Sequence, residues 1–308
     1  MLFIIALISF IAINLAPNSF FASGDLNPNI TQESLKHLKE IYGLDKPLYI
    51  QFFSWIKNIL VLDFGISFSS GGFVKDEILS RIPITLVLNS ISIFFIFIIS
   101  LYMGIKAAFN QNKTIDKIVS QISLLSFSLP SFYIALMGVL IFSITFDILP
   151  ISGVHSNGIK PDSLDYYTDT LWHLILPIFI IIFGGIGSLT LYVRSLTIEI
   201  LKSDYIFWAK ARGLDNKKIL RYYILPNLYP PIITLLGLSL PGIIGGSVIL
   251  ETIFAIDGMG LLFFHSALSH DYPVIMGILI IGAFLTLLGN ILADLILLKL
   301  NPSSKSKF

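Results

Sequence analysis

Apolar residues fall along this chain in long blocks separated by polar stretches, and six spans can be drawn. They cover roughly 1–17, 85–109, 118–146, 171–195, 229–253 and 274–298. A helix needs about 20 apolar residues to cross the hydrocarbon core of a bilayer. Backbone groups in lipid must be satisfied within the segment, so each span is expected to be a helix. Pro130, Pro177 and Pro241 lie inside the third, fourth and fifth spans, where kinks or breaks are expected. The first span is short and interrupted by Asn14, which points to a truncated helix or a start further upstream. One long polar insert, 18–84, separates the first two spans and exceeds a simple connection. Within it Thr31 to Tyr42 reads as a surface helix, capped by Thr31 and ended by Gly43. The remaining divisions are a core of helices two to six, 85–300, and a tail, 301–308.

Composition supports the membrane reading. Of 308 residues 55% are hydrophobic and only 13% charged, against about 25% charged in a soluble domain. A net charge of +1 gives no global field for nucleic acid. The absence of cysteine excludes disulfides, thiolate metal sites and a cysteine nucleophile. Lysine and arginine are unevenly placed. The segments after the second, fourth and sixth spans hold 13 of the 20 basic residues and five of the 19 acidic ones. Basic loops face the cytoplasm, so both termini are expected there and the insert outside.

The longest basic loop, 204–227, holds the most informative pattern. A short helix over 205–212 is expected to stop at Gly213, and a second, basic on one face, to run from Asn216 to Pro226. A small amphipathic helix outside the membrane suits a groove on another protein. The same pattern equally suits rest on anionic lipid.

This loop resembles the EAA loop of ABC importer permeases. Ala209, Gly213, Leu225 and Pro226 stand at that motif's spacing. The motif's opening Glu-Ala is Phe207-Trp208 here, and its later Ile is Tyr223. Those departures are similar to the dipeptide, oligopeptide and nickel branch, which Asp204, Tyr205, Ala209, Ala211, Gly213 and Leu214 fit. Further fragments resemble that branch in order: Leu15-Ala-Pro17, Tyr42 to Gln51, Asp63-Phe-Gly65, Arg81 to Leu86, Ser128 to Phe132, Leu149 to Gly153, Glu251 to Phe254, Gly258-Met-Gly260, Asp271-Tyr-Pro273 and Asn301-Pro302. The basic N-terminus of the family is missing.

The resemblance implies an all-α polytopic protein of the type I importer permease fold, in the bacterial inner membrane. It implies a heterodimer with a second, related permease, two ATPase subunits and an external binding protein that delivers cargo. ATP and magnesium would be used by those ATPases, and this chain would bind no cofactor and catalyse nothing. The loop residues Asp204, Tyr205, Ala209, Ala211, Gly213, Leu214, Leu225 and Pro226 would form the ATPase-coupling surface, with Gly213 permitting a tight turn and close backbone approach. Transport would proceed by alternating access, with peptides as first cargo and nickel or a nickel chelate as second. No G-x-x-x-x-G-K-[ST] pattern exists to cradle ATP phosphates.

Several apolar-span residues are candidates for the translocation path or gate: Asn89, Pro130, Pro241, Gly242, Gly246 and Glu251. Asn89, the two glycines and Glu251 each have a plainer reading. Asn89, like Asn290 and Asp294, suits an interhelical hydrogen bond, and Gly242 with Gly246 suits close helix packing. Glu251 reads either as a functional intramembrane acid or as a solvated rim residue. The five histidines, His37, His155, His173, His265 and His270, form no ligand pair on one helix, so no metal site is expected. Ser69-Ser-Gly-Gly72 reads as a flexible outer loop. An intramembrane enzyme would need convergent catalytic groups, and a secondary transporter inverted repeats with mid-membrane charges. Neither pattern stands out.

Overall fold

The computed structural model describes residues 4, 6–8, 10, 11, 46–156, 158–161 and 163–300. The expected surface helix at 31–42, His37 and the tail lie outside these residues. Positions 4, 6–8, 10 and 11, within the first expected span, are helical. The other helices are α1 (Leu48–Leu60), α2 (Val74–Phe109), α3 (Thr114–Ser128), α4 (Ser131–Gly138), α5 (Leu164–Leu201) and α6 (Asp204–Ala211). They continue as α7 (Asn216–Ile219), α8 (Leu225–Gly245), α9 (Val248–Ile253), α10 (Met259–Leu268) and α11 (Tyr272–Leu300). π-Helical turns at Val139–Thr145 and Leu220–Ile224 extend α4 and join α7 to α8. Among the described residues there is no strand beyond one isolated bridge, Ile66 with Phe73.

Four described helices are long and apolar enough to cross a membrane, or five if the pair α3 and α4 counts as one broken span. The chain is therefore an all-α, multi-pass membrane protein, with the first expected span only partly described.

The boundaries differ from the expected ones for identifiable reasons. α2 begins at Val74, inside the stretch assigned to the polar insert, so this helix starts before the expected span. Its opening turns carry Lys75, Asp76, Glu77 and Arg81, which mask the helix in a hydropathy reading, while Val74 and Ile78 on the same turns are buried. The third span is two helices bent by 100°. Leu129 is extended (φ −86°, ψ 132°) and Pro130 opens α4, as expected when a proline pushes its predecessor out of the helical region. The helix continues through Pro177 and Pro241. The break near the fifth span falls instead after Gly245, where Gly246 has φ +68°.

Two compact units divide the chain. The first holds 1–85, 244–248 and 257–287. Its core joins Val74, Ile78, Met259, Leu262, Val274 and Ile278. Beside it Phe10, Phe52 and Met276 pack with Trp55. Thr85 Oγ1 accepts from the Met259 amide at 2.9 Å, satisfying one free donor at the start of α10.

The second unit holds 86–243, 249–256 and 288–308. Its core joins Phe97, Val193, Ile206, Ile219, Ile224, Leu228 and Ile232. Helices approach closely where side chains are absent. A Cβ on Gly237 would lie 2.4 Å from Ala293 Cβ, and one on Gly289 would lie 2.9 Å from Gly237 O. Small residues permit such approach inside membranes.

Candidate functional site

The loop between α5 and α8 is a folded module. Ser203, extended at φ −72° and ψ 150°, precedes α6, and its hydroxyl donates to Ile200 O at 2.6 Å. Asp204 sits in the first turn, where a negative charge suits the helix dipole. At the other end Gly213 N donates to Lys210 O (2.9 Å) and Leu214 N to Ala209 O (3.2 Å). This is a Schellman stop, and it places Gly213 at φ +80°. A Cβ on Gly213 would meet nothing within 4 Å. Within this chain the glycine is therefore required by backbone conformation, not by close approach. Asp215 then caps α7, its Oδ1 accepting from Lys218 N at 3.0 Å.

Pro226 does not end the second helix. α7, the π turn and α8 run on without a gap. The Leu225 amide reaches back to Leu220 O in the wide turn, which opens the backbone just ahead of the proline ring.

The module has two faces. Ile206, Ile219 and Ile224 are fully buried in one core with Val193 and Phe97, Leu214 is partly buried there, and Ala209 is also fully buried. The other face exposes Phe207 (65%), Trp208 (63%), Tyr205, Ala211 and Tyr222. Tyr205 stacks on Tyr223 with centroids 6.2 Å apart, and Arg212 donates to the Tyr223 hydroxyl at 3.2 Å. Lys210, Arg212, Lys217, Lys218 and Arg221 are exposed as well, and the Arg221 guanidinium lies 5.8 Å from the Tyr222 ring centroid. Of the remaining loop candidates, Leu225 is partly buried and Pro226 exposed. The result is a basic, aromatic surface on a rigid base.

The path candidates are scattered through the fold. Asn89 is buried and its Nδ2 donates to Ile243 O at 3.1 Å, near the end of α8. A Cβ on Gly242 meets nothing within 4 Å, whereas close helix approach is seen at Gly237 and Gly289. Glu251 is fully buried in α9, which removes the solvated-rim reading.

Several organising contacts escaped the sequence reading. Asp271 is buried and accepts from Ser67 Oγ (2.5 Å), Phe68 N (3.1 Å) and Ser69 N (3.1 Å). Ser70 Oγ donates to Glu77, and Ser67 N to Gly72 O at 2.8 Å. The 69–72 stretch is thus a pinned turn and not a flexible loop. Arg81 pairs with Asp257 at 2.8 Å. Ser67, Ser69, Glu77, Arg81, Asp257 and Asp271 are among the residues lining a cavity of about 640 Å³. Asp271 and Arg81 were visible only as fragments of longer motifs, with no signal for the contact.

His155 stacks on Tyr166 at 3.8 Å, and its Nδ1 lies 3.1 Å from Thr170 Oγ1. Burial pushes this imidazole below its usual pKa. Among the described residues no group of three or more His, Cys, Asp or Glu is placed to hold a metal ion.

Comparison with known proteins agrees with this geometry. The family described as "Binding-protein-dependent transport system inner membrane component" matches residues 96–306, and its N-terminal companion matches 1–89. The oligopeptide transport system permease protein AppB of Bacillus subtilis is 33% identical, over 97% of this chain and 93% of its own length. The dipeptide transport system permease protein DppB of Lactococcus lactis is 32% identical, over 98% and 94%. Among solved structures, the MetNI methionine ABC transporter in inward facing conformations matches with a TM-score of 0.57. That likeness has 18% identity and covers 73% of this chain and 96% of the other, and it shows the shared permease fold.

Proposed function

Because the chain belongs to the family of binding-protein-dependent transport system inner membrane components, we propose that it is the permease subunit of an ATP-driven importer of peptides. The observation that carries the coupling part is the two-faced loop at 204–224. Its apolar side is locked into the helix core, and its aromatic, basic side is exposed. Such a surface transmits force only if something docks on it. ATPase subunits are the partner, since this chain has no phosphate-cradling loop of its own.

The assembly contains a second, related permease, two ATPases that use ATP and magnesium, and an external binding protein. ATP binding closes the ATPases, the loop module moves with them, and the helices exchange inward-open and outward-open forms. Both termini face the cytoplasm, in line with the lysine and arginine bias. Peptides are favoured over nickel because relatives at 33% and 32% identity are named for oligopeptide and dipeptide transport.

The test of assembly is purification of the tagged chain from gently solubilised membranes, with mass spectrometry of its companions. An ATPase and a second permease are expected. A folded chain that emerges alone at good yield would return the 204–224 surface to a lipid-facing role.

A further inference from the structure

α3 and α5 pack as an antiparallel seam. Ser126 Oγ donates to Phe183 O. A Cβ on Gly187 would lie 2.5 Å from Ser123 O and 2.9 Å from Phe127 N, so the two backbones nearly touch there. At the far end Arg194 grips Asp116 with both arms, Nε to Oδ1 at 2.5 Å and an η nitrogen to Oδ2 at 2.8 Å. Between these contacts α5 advances from 183 to 194 while α3 runs back from 126 to 116, a distance of about 16 Å at 1.5 Å per residue. Asp116 is 3% exposed, and it also accepts from the Asn112 amide at 2.8 Å. It therefore holds the turn between α2 and α3 as well.

Beyond the Ser126 hydrogen bond, the seam carries close backbone approaches, and the charged pair closes its far end. Glycine and serine let helices approach but do little to stop one sliding along the other. A buried ion pair is weak evidence for stability, because apolar replacements are often neutral or better. What a bidentate arginine–carboxylate pair supplies is fixed geometry. Its neighbour in sequence, Val193, is fully buried in the core formed with Ile206, Ile219 and Ile224 of the loop module. Successive helical residues point about 100° apart. A single turn of α5 thus touches the loop module on one side and α3 on the other.

We infer that the Arg194–Asp116 pair is a positioning device that fixes the axial register of α5 against α3, so that displacement of the loop module carries α3 with it. The inference rests on the coupling reading above. Neither residue contacts cargo or ATPase in this role; they act through the helices they join.

The test uses the whole importer in proteoliposomes and reads peptide uptake per ATP hydrolysed. Asp116→Asn and Arg194→Gln should still co-purify with the ATPases and hydrolyse ATP. Their uptake per ATP should fall by about 2- to 30-fold, the range in which non-contacting residues modulate coupling. The exchange Asp116→Arg with Arg194→Asp should recover part of the loss. Arg194→Lys, which keeps the charge but not the fork, should keep normal protein abundance and still couple poorly. Wild-type uptake per ATP in Arg194→Lys and in both neutral variants would overturn the inference. So would loss of assembled complex in all the variants, with no recovery on exchange, which is the mark of a merely structural pair. A wild-type chain that never captures an ATPase would sink the coupling reading itself, and is told apart by its wild-type origin.

Discussion

Substitution of Gly213 separates two demands that the resemblance alone merges. The residue sits at φ +80° in the stop signal of α6, and a Cβ there would meet nothing within 4 Å. Any cost inside this chain is therefore conformational. A left-handed residue with a Cβ costs roughly 1–2 kcal/mol, with Asn tolerated better than most. One to two kcal/mol changes a local equilibrium by about 5- to 30-fold. Gly213→Val should thus depopulate the Schellman turn, release Leu214 from the module core, and lower uptake per ATP while membrane insertion stays normal. Gly213→Asn should restore the turn. If only the turn matters, the Asn variant transports near wild type. If the docked ATPase approaches the backbone closely, Asn fails as Val does. The assay is binding-protein-stimulated ATPase activity and peptide uptake in proteoliposomes. Wild-type uptake per ATP in Gly213→Val would refute the reasoning outright.

Three more expectations follow from particular contacts. Gly187→Ala should lower the thermal stability of the detergent-solubilised protein, because its Cβ would lie 2.5 Å from Ser123 O; Gly184→Ala, with open space around it, should not. His155 has a lowered pKa through burial, beside Asp169 and His173. The folded form then binds fewer protons than the unfolded one in that window, so this contribution is complete above a pH of about 6.5 and is lost as pH falls through the lowered value. Protection of the amides across 152–156, taken relative to the intrinsic exchange rate at each pH, should therefore fall on acidification, and His155→Gln should remove that fall. Since the chain has no cysteine, single Lys217→Cys and Ser69→Cys variants report sidedness directly; the first should react with impermeant reagent only from the cytoplasmic face, the second only from outside.

The spans and the loop module were legible because their causes are local. A bilayer demands a run of apolar residues, and Gly213 stands where α6 must stop. Other features depend on partners far away in sequence. Pro130 and Pro177 carry the same residue type in apolar spans, yet only Pro130 opens a break. Gly187 and Gly289 look like any membrane glycine until the facing backbone is known. Gly242 and Gly246 form the familiar small-residue spacing, but no described neighbour fills the space at Gly242. Asp116 and Arg194 entered the reading only as charges in a topology argument; their partnership bridges 78 positions. Asp271 likewise gains its meaning from a turn 204 positions earlier.

The central claim is ATP-driven peptide import through this chain. Its most direct test is uptake of a labelled oligopeptide into proteoliposomes that hold the chain with its co-purified permease and ATPases, the external binding protein being added outside and ATP enclosed. The account predicts accumulation that requires both ATP and binding protein and is lost when this chain is omitted. Uptake that persists without ATP, or that is unchanged without this chain, would contradict it.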